Sequence, residues 1–420
     1  MSSRGARRGA ILLGLVALAV LAVVGATARA EKQRIGTDFH VFWQAGYDFS
    51  HGLVMYRPLP GARKFNYPPF AAQVFQVLSL FPLKTAAWLF YLFSVGLIAV
   101  AAALSRDIIR RLEPSRPIGR LPLVLALACS LNFLLNNLNM VQVNLLIFVM
   151  CLLGVRGFIE RRDWSAAGWI VAATAIKLTP FFFVIWLLIR GTRRTWGAIA
   201  LAGLMCLMLP ILQRGWHQGW ADLSLYYRTF LQAYAAGTVI PDYTNQNLAS
   251  LIYRAVVPAV SNDPAYDYVY LPSLQSAAPL LYRVAATLVL TVFLAHLVRV
   301  RLTGRPLTAL EIASVFLTSH LLSAITWKAH LVTLLFVAYA FFALDRRRMG
   351  QGWQIALAFA AAGIIAIGLG RDVLGSRLHH YVGGYSLIVW VMLLLFSLSV
   401  LWSQRLEPGE PVPVSSRGAS

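Results

Sequence analysis

Residues 166–190 read AAGWIVAATAIKLTPFFFVIWLLIR, and how this stretch is divided decides the fold. About 20 apolar residues carry a helix across a bilayer. This run is longer, and Lys177, Thr179 and Pro180 interrupt it. Proline lacks an N–H and crowds the preceding turn, so it ends or kinks a helix. The pattern predicts two short helices, 166–176 and 179–190, with Lys177 at the break. A single span would carry Arg190, Arg193 and Arg194 to the opposite side and upset every later loop.

Further apolar runs lie near 10–29, 84–104, 121–135, 140–158, 196–213, 279–299, 309–325, 329–344, 353–369 and 384–402. With the divided stretch they predict an all-α polytopic membrane protein with about twelve transmembrane helices. More than half of the 37 basic residues fall in segments this topology places inside. They include Arg4, Arg7 and Arg8, the group Arg106–Arg120, Arg190–Arg194, Arg299–Arg305 and Arg346–Arg348. That is the positive-inside pattern, and it puts both termini in the cytoplasm. The 420 residues are 59% apolar and 13% charged, with a mean hydropathy of +0.66 and a formal charge of +21. Soluble domains carry about 25% charged residues. The composition therefore excludes a cytosolic enzyme, a disordered chain and a nucleic-acid binder, despite the charge. Cys129, Cys151 and Cys206 all sit in apolar runs and read as core or lipid-facing residues, not a disulfide set.

Arg7, Arg8, the run Ile11–Gly25 and Ala28-Arg29-Ala30 also resemble a secretory signal with a cleavage site. On either reading the chain from Glu31 onward is extracytoplasmic. A single transmembrane domain is expected over 1–404, with two long outer segments, 31–83 and 214–278. The apolar stretch Phe70–Phe81 is too short to span and reads as a helix lying in the outer interface. Residues 214–278 are polar and aromatic, and 405–420 reads as a disordered cytoplasmic tail.

Ionisable groups at membrane depth are costly and point to function. Asp38 follows the first span, Lys177 sits at the break, and Lys328 and His330 lie at an outer turn. All four share one membrane face. A carboxylate opposite several cations suits a general base facing a phosphate leaving group. A site at the outer boundary suits a substrate with a lipid tail and a phosphate head. Taken singly, each has a plainer role. Asp38 reads as a solvated interface residue, Lys177 as a snorkelling lysine and His330 as a packing histidine. The aromatic residues of 214–278 read as an interfacial belt, and Gln142 and Asn144 as partners for helix ends.

The string Thr37-Asp38-Phe39-His40-Val41-Phe42-Trp43-Gln44-Ala45-Gly46 is followed by Gly52, Tyr56 and Tyr67-Pro68-Pro69-Phe70. Then come Gln142-Val143-Asn144, Lys177-Leu178-Thr179-Pro180, Asn245-Gln246-Asn247-Leu248 and Ser323 to His330. In this order they resemble the polyprenol-phosphate-dependent glycosyltransferases of family 87, some of which are α-mannosyltransferases. The resemblance implies a GT-C fold, an extracytoplasmic site and transfer with inversion from a polyprenyl-phosphate sugar, often mannose or arabinofuranose, to a lipid or glycan acceptor. It makes Asp38 the base and places Lys177, Lys328 and His330 at the donor phosphate. His40, Tyr67, Gln142, Asn144, Asn245, Gln246, Asn247 and Trp327 would bind substrate. One motif departs from the family. Ser-Pro-x-Ser-Trp-Asp-His-His is common there, whereas this chain has Lys328 for the acid and Ala329 for the first histidine.

The expected protein is thus a cell-membrane glycosyltransferase that touches lipid and needs no obligatory metal or other cofactor, since no His/Cys/carboxylate set has metal-ligand spacing. A transporter or flippase for a lipid-linked precursor is the rival class. Such proteins also carry broken helices, though usually in paired halves and near the midplane. A non-catalytic envelope scaffold is the third, and would not need Asp38, Lys177 and His330 on one face.

Overall fold

The computed structural model describes residues 3–33, 37–56, 64–114, 117–232, 239, 241–257, 271–344 and 350–403, with side chains from Val16 onward. Every regular element among them is helical. The α-helices are α1 Ser3–Glu31, α2 Asp38–Ser50, α3 Pro69–Phe75, α4 Leu83–Leu112, α5 Leu121–Met140, α6 Asn144–Ile159, α7 Asp163–Ile176, α8 Phe181–Arg190, α9 Arg193–Arg214, α10 Trp216–Tyr226, α11 Leu248–Val256, α12 Ala278–Leu302, α13 Ala309–Leu321, α14 Leu334–Phe342, α15 Gln351–Gly368, α16 Arg371–Gly384 and α17 Leu387–Ser403. Short 3-10 turns cover Leu78–Leu80, Pro272–Ala277 and Lys328–Thr333, and a π-helical turn covers Tyr227–Gln232.

Local chemistry sets many of the boundaries. Thr37, Thr192, Asn247 and Thr308 each accept a hydrogen bond from a first-turn amide, satisfying donors that a helix start leaves open. Residues 166–190 divide as the sequence predicts, into α7 and α8 with Lys177–Pro180 between them. α5 stops at Val141, which takes a left-handed conformation (φ 51°). That is a strained position for a β-branched residue, and it turns the chain sharply into α6.

The count of twelve spans is met only in part. Five helical segments are long and apolar enough to cross a membrane: Leu83–Leu112, Leu121–Met140, Arg193–Arg214, Pro272–Leu302 and Gln351–Gly368. The pair α16–α17, bent by 60°, adds a sixth if it forms one span. In those five, only 22–33% of the apolar window is buried, so most of each surface is left to lipid. The shorter apolar helices behave differently. All of Ala309–Leu321 is buried, as is Leu334–Phe341. A helix that is apolar all round belongs in a core as readily as in a bilayer. α6, α13 and α14 form that core, α8 adds Phe183, Trp186 and Leu187 to it, and the long helices stand around it.

Two other expectations change. Phe70–Phe81 is not one interfacial helix but α3 followed by a 3-10 turn. α2 packs closely on α3: a Cβ on Gly46 would lie 2.4 Å from the carbonyl oxygen of Phe75. The described part of 214–278 is largely helical, not open loop, through α10, the π-helical turn, α11 and the following 3-10 turn. The tail 405–420 lies outside the described residues.

Candidate active site

Asp38 occupies the first turn of α2 and is 9% exposed. The strained turn at Val141 delivers Gln142 beside it, and Gln142 Nε2 donates to Asp38 Oδ2 at 2.5 Å. Asn137 braces that turn, since its Nδ2 donates to the Gln142 carbonyl at 3.1 Å. The Asn137 side-chain oxygen accepts from Asn144 at 3.2 Å, and Asn144 Oδ1 in turn accepts from Lys177 Nζ at 2.6 Å. Lys177 Nζ also lies 5.7 Å from the centre of the Tyr67 ring, a cation–π distance. Burial pushes the Lys177 ammonium down to about 7, while the nearby Asp38 carboxylate pulls it up. The non-helical break at Lys177–Pro180 lets the ammonium turn inward instead of continuing a helix face.

These groups open onto a cavity of about 540 Å³. Asp38, Tyr67, Gln142, Lys177, Trp327 and His330 all line it, although they come from widely separated segments. Trp327 and His330 stack at 6.0 Å between ring centres. His330 Nδ1 lies 3.1 Å from the Trp327 amide and 3.0 Å from the Ile325 carbonyl. The loop backbone thus engages Nδ1 and leaves Nε2 as the nitrogen for the cavity.

The remaining predicted residues are placed elsewhere. Asn144 reaches the cavity only through Lys177. His40 is buried against Trp43, with ring centres 6.4 Å apart, and does not line the cavity. Asn245, Gln246 and Asn247 are fully or almost fully buried and frame the Ser323–His330 loop from behind. Asn247 Nδ2 donates to the Ser323 and Ala324 carbonyls, both at 2.7 Å. Asn245 Oδ1 accepts from the Thr326 amide at 2.8 Å, and the Gln246 amide donates to the Thr326 carbonyl at 2.7 Å. Arg254 holds this frame in turn, through the Asn245 carbonyl at 2.7 Å.

Lys328 departs furthest from expectation. Its ammonium is hydrogen-bonded to His379 Nε2 of α16 and does not line the cavity. Burial lowers Lys328 to about 8. The grouping of Lys328 with Lys177 and His330 is not formed. Sequence reading passed over Lys64, Asn66, Tyr226 and Phe230, which also line the cavity. Tyr226 and Phe230 lie four apart with stacked rings, a helical spacing that a closer reading of 214–278 would have found.

A carboxylate and an ammonium on one cavity, inside a helical bundle, can serve as a base and as a partner for an anion. Residues 65–324, well over half of the chain, match the model of glycosyltransferase family 87. The chain belongs to glycosyltransferase family 87. No curated protein and no solved structure matches it. Family 87 is a family of glycosyltransferases, so the protein is a transferase, and the transporter and scaffold classes give way. The match includes Tyr67, Gln142, Lys177 and the Asn245–Asn247 frame. Trp327, Lys328 and His330 lie just beyond its end, and Asp38 lies well before its start.

Proposed function

We propose that this family 87 enzyme transfers a sugar from a polyprenyl-phosphate donor to a hydroxyl of a lipid or glycan acceptor, on the extracytoplasmic face and with inversion. One observation carries the reading. The cavity holding Asp38 and Lys177 adjoins an apolar groove of about 340 Å³, and the two share Leu178, Phe181 and Tyr226 as a common wall. A phosphate beside Lys177 would therefore leave its isoprenoid tail against Phe70, Val184, Ile199 and Leu207. Water-soluble nucleotide donors have no use for such a groove.

In the proposed step the acceptor hydroxyl gives its proton to the Asp38 carboxylate, and its oxygen attacks the anomeric carbon. The bond from that carbon to the phosphate oxygen breaks on the opposite face. Its electron pair stays with the polyprenyl phosphate, which leaves as a monoester. Gln142 orients the base, while Lys177 and His330 Nε2 meet the phosphate. An arginine-rich opposite end supports the outward placement, by the positive-inside rule. Reconstituted enzyme supplied with radiolabelled polyprenyl-phosphate mannose, glucose or arabinofuranose should label an acceptor. Transfer from a nucleotide sugar with none from any polyprenyl phosphate would overturn the proposal.

A further inference from the structure

A second and larger cavity, of about 960 Å³, lies at the other end of the bundle. Helices connect the two. α7 runs from Asp163 on this cavity to the Lys177 break, α8 from Phe181 on the active-site cavity to Arg190, and α13 from Ala309 to Ser319. Ten to fourteen residues at 1.5 Å each separate the cavities by about 15–20 Å. The catalytic residues have no part in the second site.

Its lining combines two chemistries. Arg111, Arg161, Arg190, Arg193, Arg194 and Arg305 supply cations. Ile109, Phe158, Leu307 and Leu310 supply an apolar floor. Some of the arginines are already engaged. Arg190 pairs with the buried Glu311 at 3.0 Å and donates to the Arg305 carbonyl at 3.0 Å, and Arg111 pairs with Asp107 at 2.9 Å. The acids on the wall are Glu113 and Asp163, and Asp163 accepts from Thr195 at 2.5 Å. By contrast, Arg161, Arg193 and Arg194 make no side-chain hydrogen bond or ion pair among the described residues. Solubility and orientation alone would be served by arginines spread over a convex surface. Here they converge on a concave, partly apolar site.

We infer that this cavity binds the phosphate headgroup of an anionic phospholipid from the cytoplasmic leaflet, with the first methylenes of its chains on the apolar floor. Guanidinium forks match phosphate oxygens in paired hydrogen bonds. Basic pockets between membrane helices on the cytoplasmic side bind anionic lipid headgroups in this way. Free phosphate would use the arginines but not the floor, so the two sources separate in affinity.

The test uses the full-length protein in uncharged detergent, with displacement of a fluorescent phosphatidylglycerol as the readout. Short-chain phosphatidylglycerol should compete saturably, while phosphatidylcholine of the same chain length and inorganic phosphate should each be weaker by about tenfold or more. R193Q/R194Q should weaken phosphatidylglycerol by about tenfold. R299Q/R301Q removes the same charge from exposed arginines off the cavity and should leave binding unchanged. Equal competition by phosphatidylcholine overturns charge recognition, and equal competition by inorganic phosphate overturns the lipid assignment. Equal loss in both double variants overturns the site in favour of diffuse attraction. Photoreactive phosphatidylglycerol on the unaltered protein gives a check that no variant can spoil. Adducts should fall at 158–161 and 305–310, and adducts confined to other segments overturn the inference.

Discussion

Replacing Lys177 by methionine keeps the length of the side chain and removes its charge, isolating what the ammonium does. Its Nζ is 2.6 Å from Asn144 Oδ1, and burial has brought it down to about 7 with Asp38 pulling the other way. The free enzyme therefore carries this cation below pH 7 and loses it above. A hydrogen bond involving a charged group contributes about 1.5–3 kcal/mol, or roughly 10- to 150-fold in binding. Lys177→Met should lower kcat/KM for the donor by that factor in initial-rate assays with donor varied at fixed acceptor. Because kcat/KM reports the free enzyme, the wild type should also lose kcat/KM as pH rises through about 7. The variant should lack that inflection. Stability moves in the opposite sense. A lysine depressed on folding means that the unfolded chain binds more protons between about pH 7 and its ordinary value of 10.5. The resulting destabilisation is full below about 7 and gone above 10.5. Lys177→Met should therefore leave Tm at pH 6 no lower than wild type, despite losing the bond to Asn144. A variant with unchanged kcat/KM would refute the phosphate role. So would one whose lost activity is matched by a lost Tm, with a wild-type profile flat from pH 6 to 8.5.

Asp38→Asn keeps an oxygen for the Gln142 bond but cannot take a proton, so kcat should fall by about 10²–10⁴ with donor KM little changed; turnover near wild type would remove Asp38 as base. Asn144→Asp places a carboxylate where Lys177 donates at 2.6 Å, and should shift the Lys177 inflection in kcat/KM to higher pH while raising donor KM. Asn247→Ala strips the Ser323 and Ala324 carbonyls of their donor and removes the cap at the Ser250 amide. The cost should be about 2–4 kcal/mol, read as a lower Tm by intrinsic fluorescence. Gly46→Ala drives a methyl against the Phe75 carbonyl, 2.4 Å from where it would sit. Thermal unfolding should register about 1–3 kcal/mol of destabilisation, with a fall in kcat as α2 carries Asp38 out of place.

The break at Lys177 was legible because a lysine, a threonine and a proline inside an apolar run leave few alternatives. Asp38, Lys177 and His330 were legible as ionisable groups at one membrane face, and the structure brings those three, with Gln142, to one cavity. What joins them was not. The direction of Gln142 depends on a left-handed Val141, and a valine gives no sign of that conformation. Asn245–Asn247 read as polar recognition groups because sequence cannot tell a side chain that meets substrate from one that satisfies buried carbonyls. Lys328 was misplaced because its partner, His379, lies on α16. That helix is polar, breaks its geometry at Gly375 (φ 71°), and carries no apolar period to betray it. The count of spans is met only in part for a related reason. α13 and α14 are as apolar as any span, but protein, not lipid, covers them.

Each of the two ions of the candidate site is hydrogen-bonded to a neutral amide, and that contact suits the proposed reaction. Gln142 fixes Asp38 through one N–H. Asn144 fixes Lys177 through an uncharged oxygen. A carboxylate there would cancel the charge that the leaving phosphate needs. Through the transfer step the total charge is constant, because the proton that neutralises Asp38 comes from the acceptor, while the phosphate turns from a singly charged diester into a monoester of higher charge. Negative charge therefore migrates from Asp38 towards the phosphate. Lys177 feels both, pulled by Asp38 before reaction and by the phosphate after it. An ammonium that sits near 7 in the empty cavity, raised by whichever anion is closest, gains most where the phosphate charge is greatest. That is stabilisation weighted towards the transition state and not the bound donor, and it explains why a buried lysine, costly to the fold, belongs at this break.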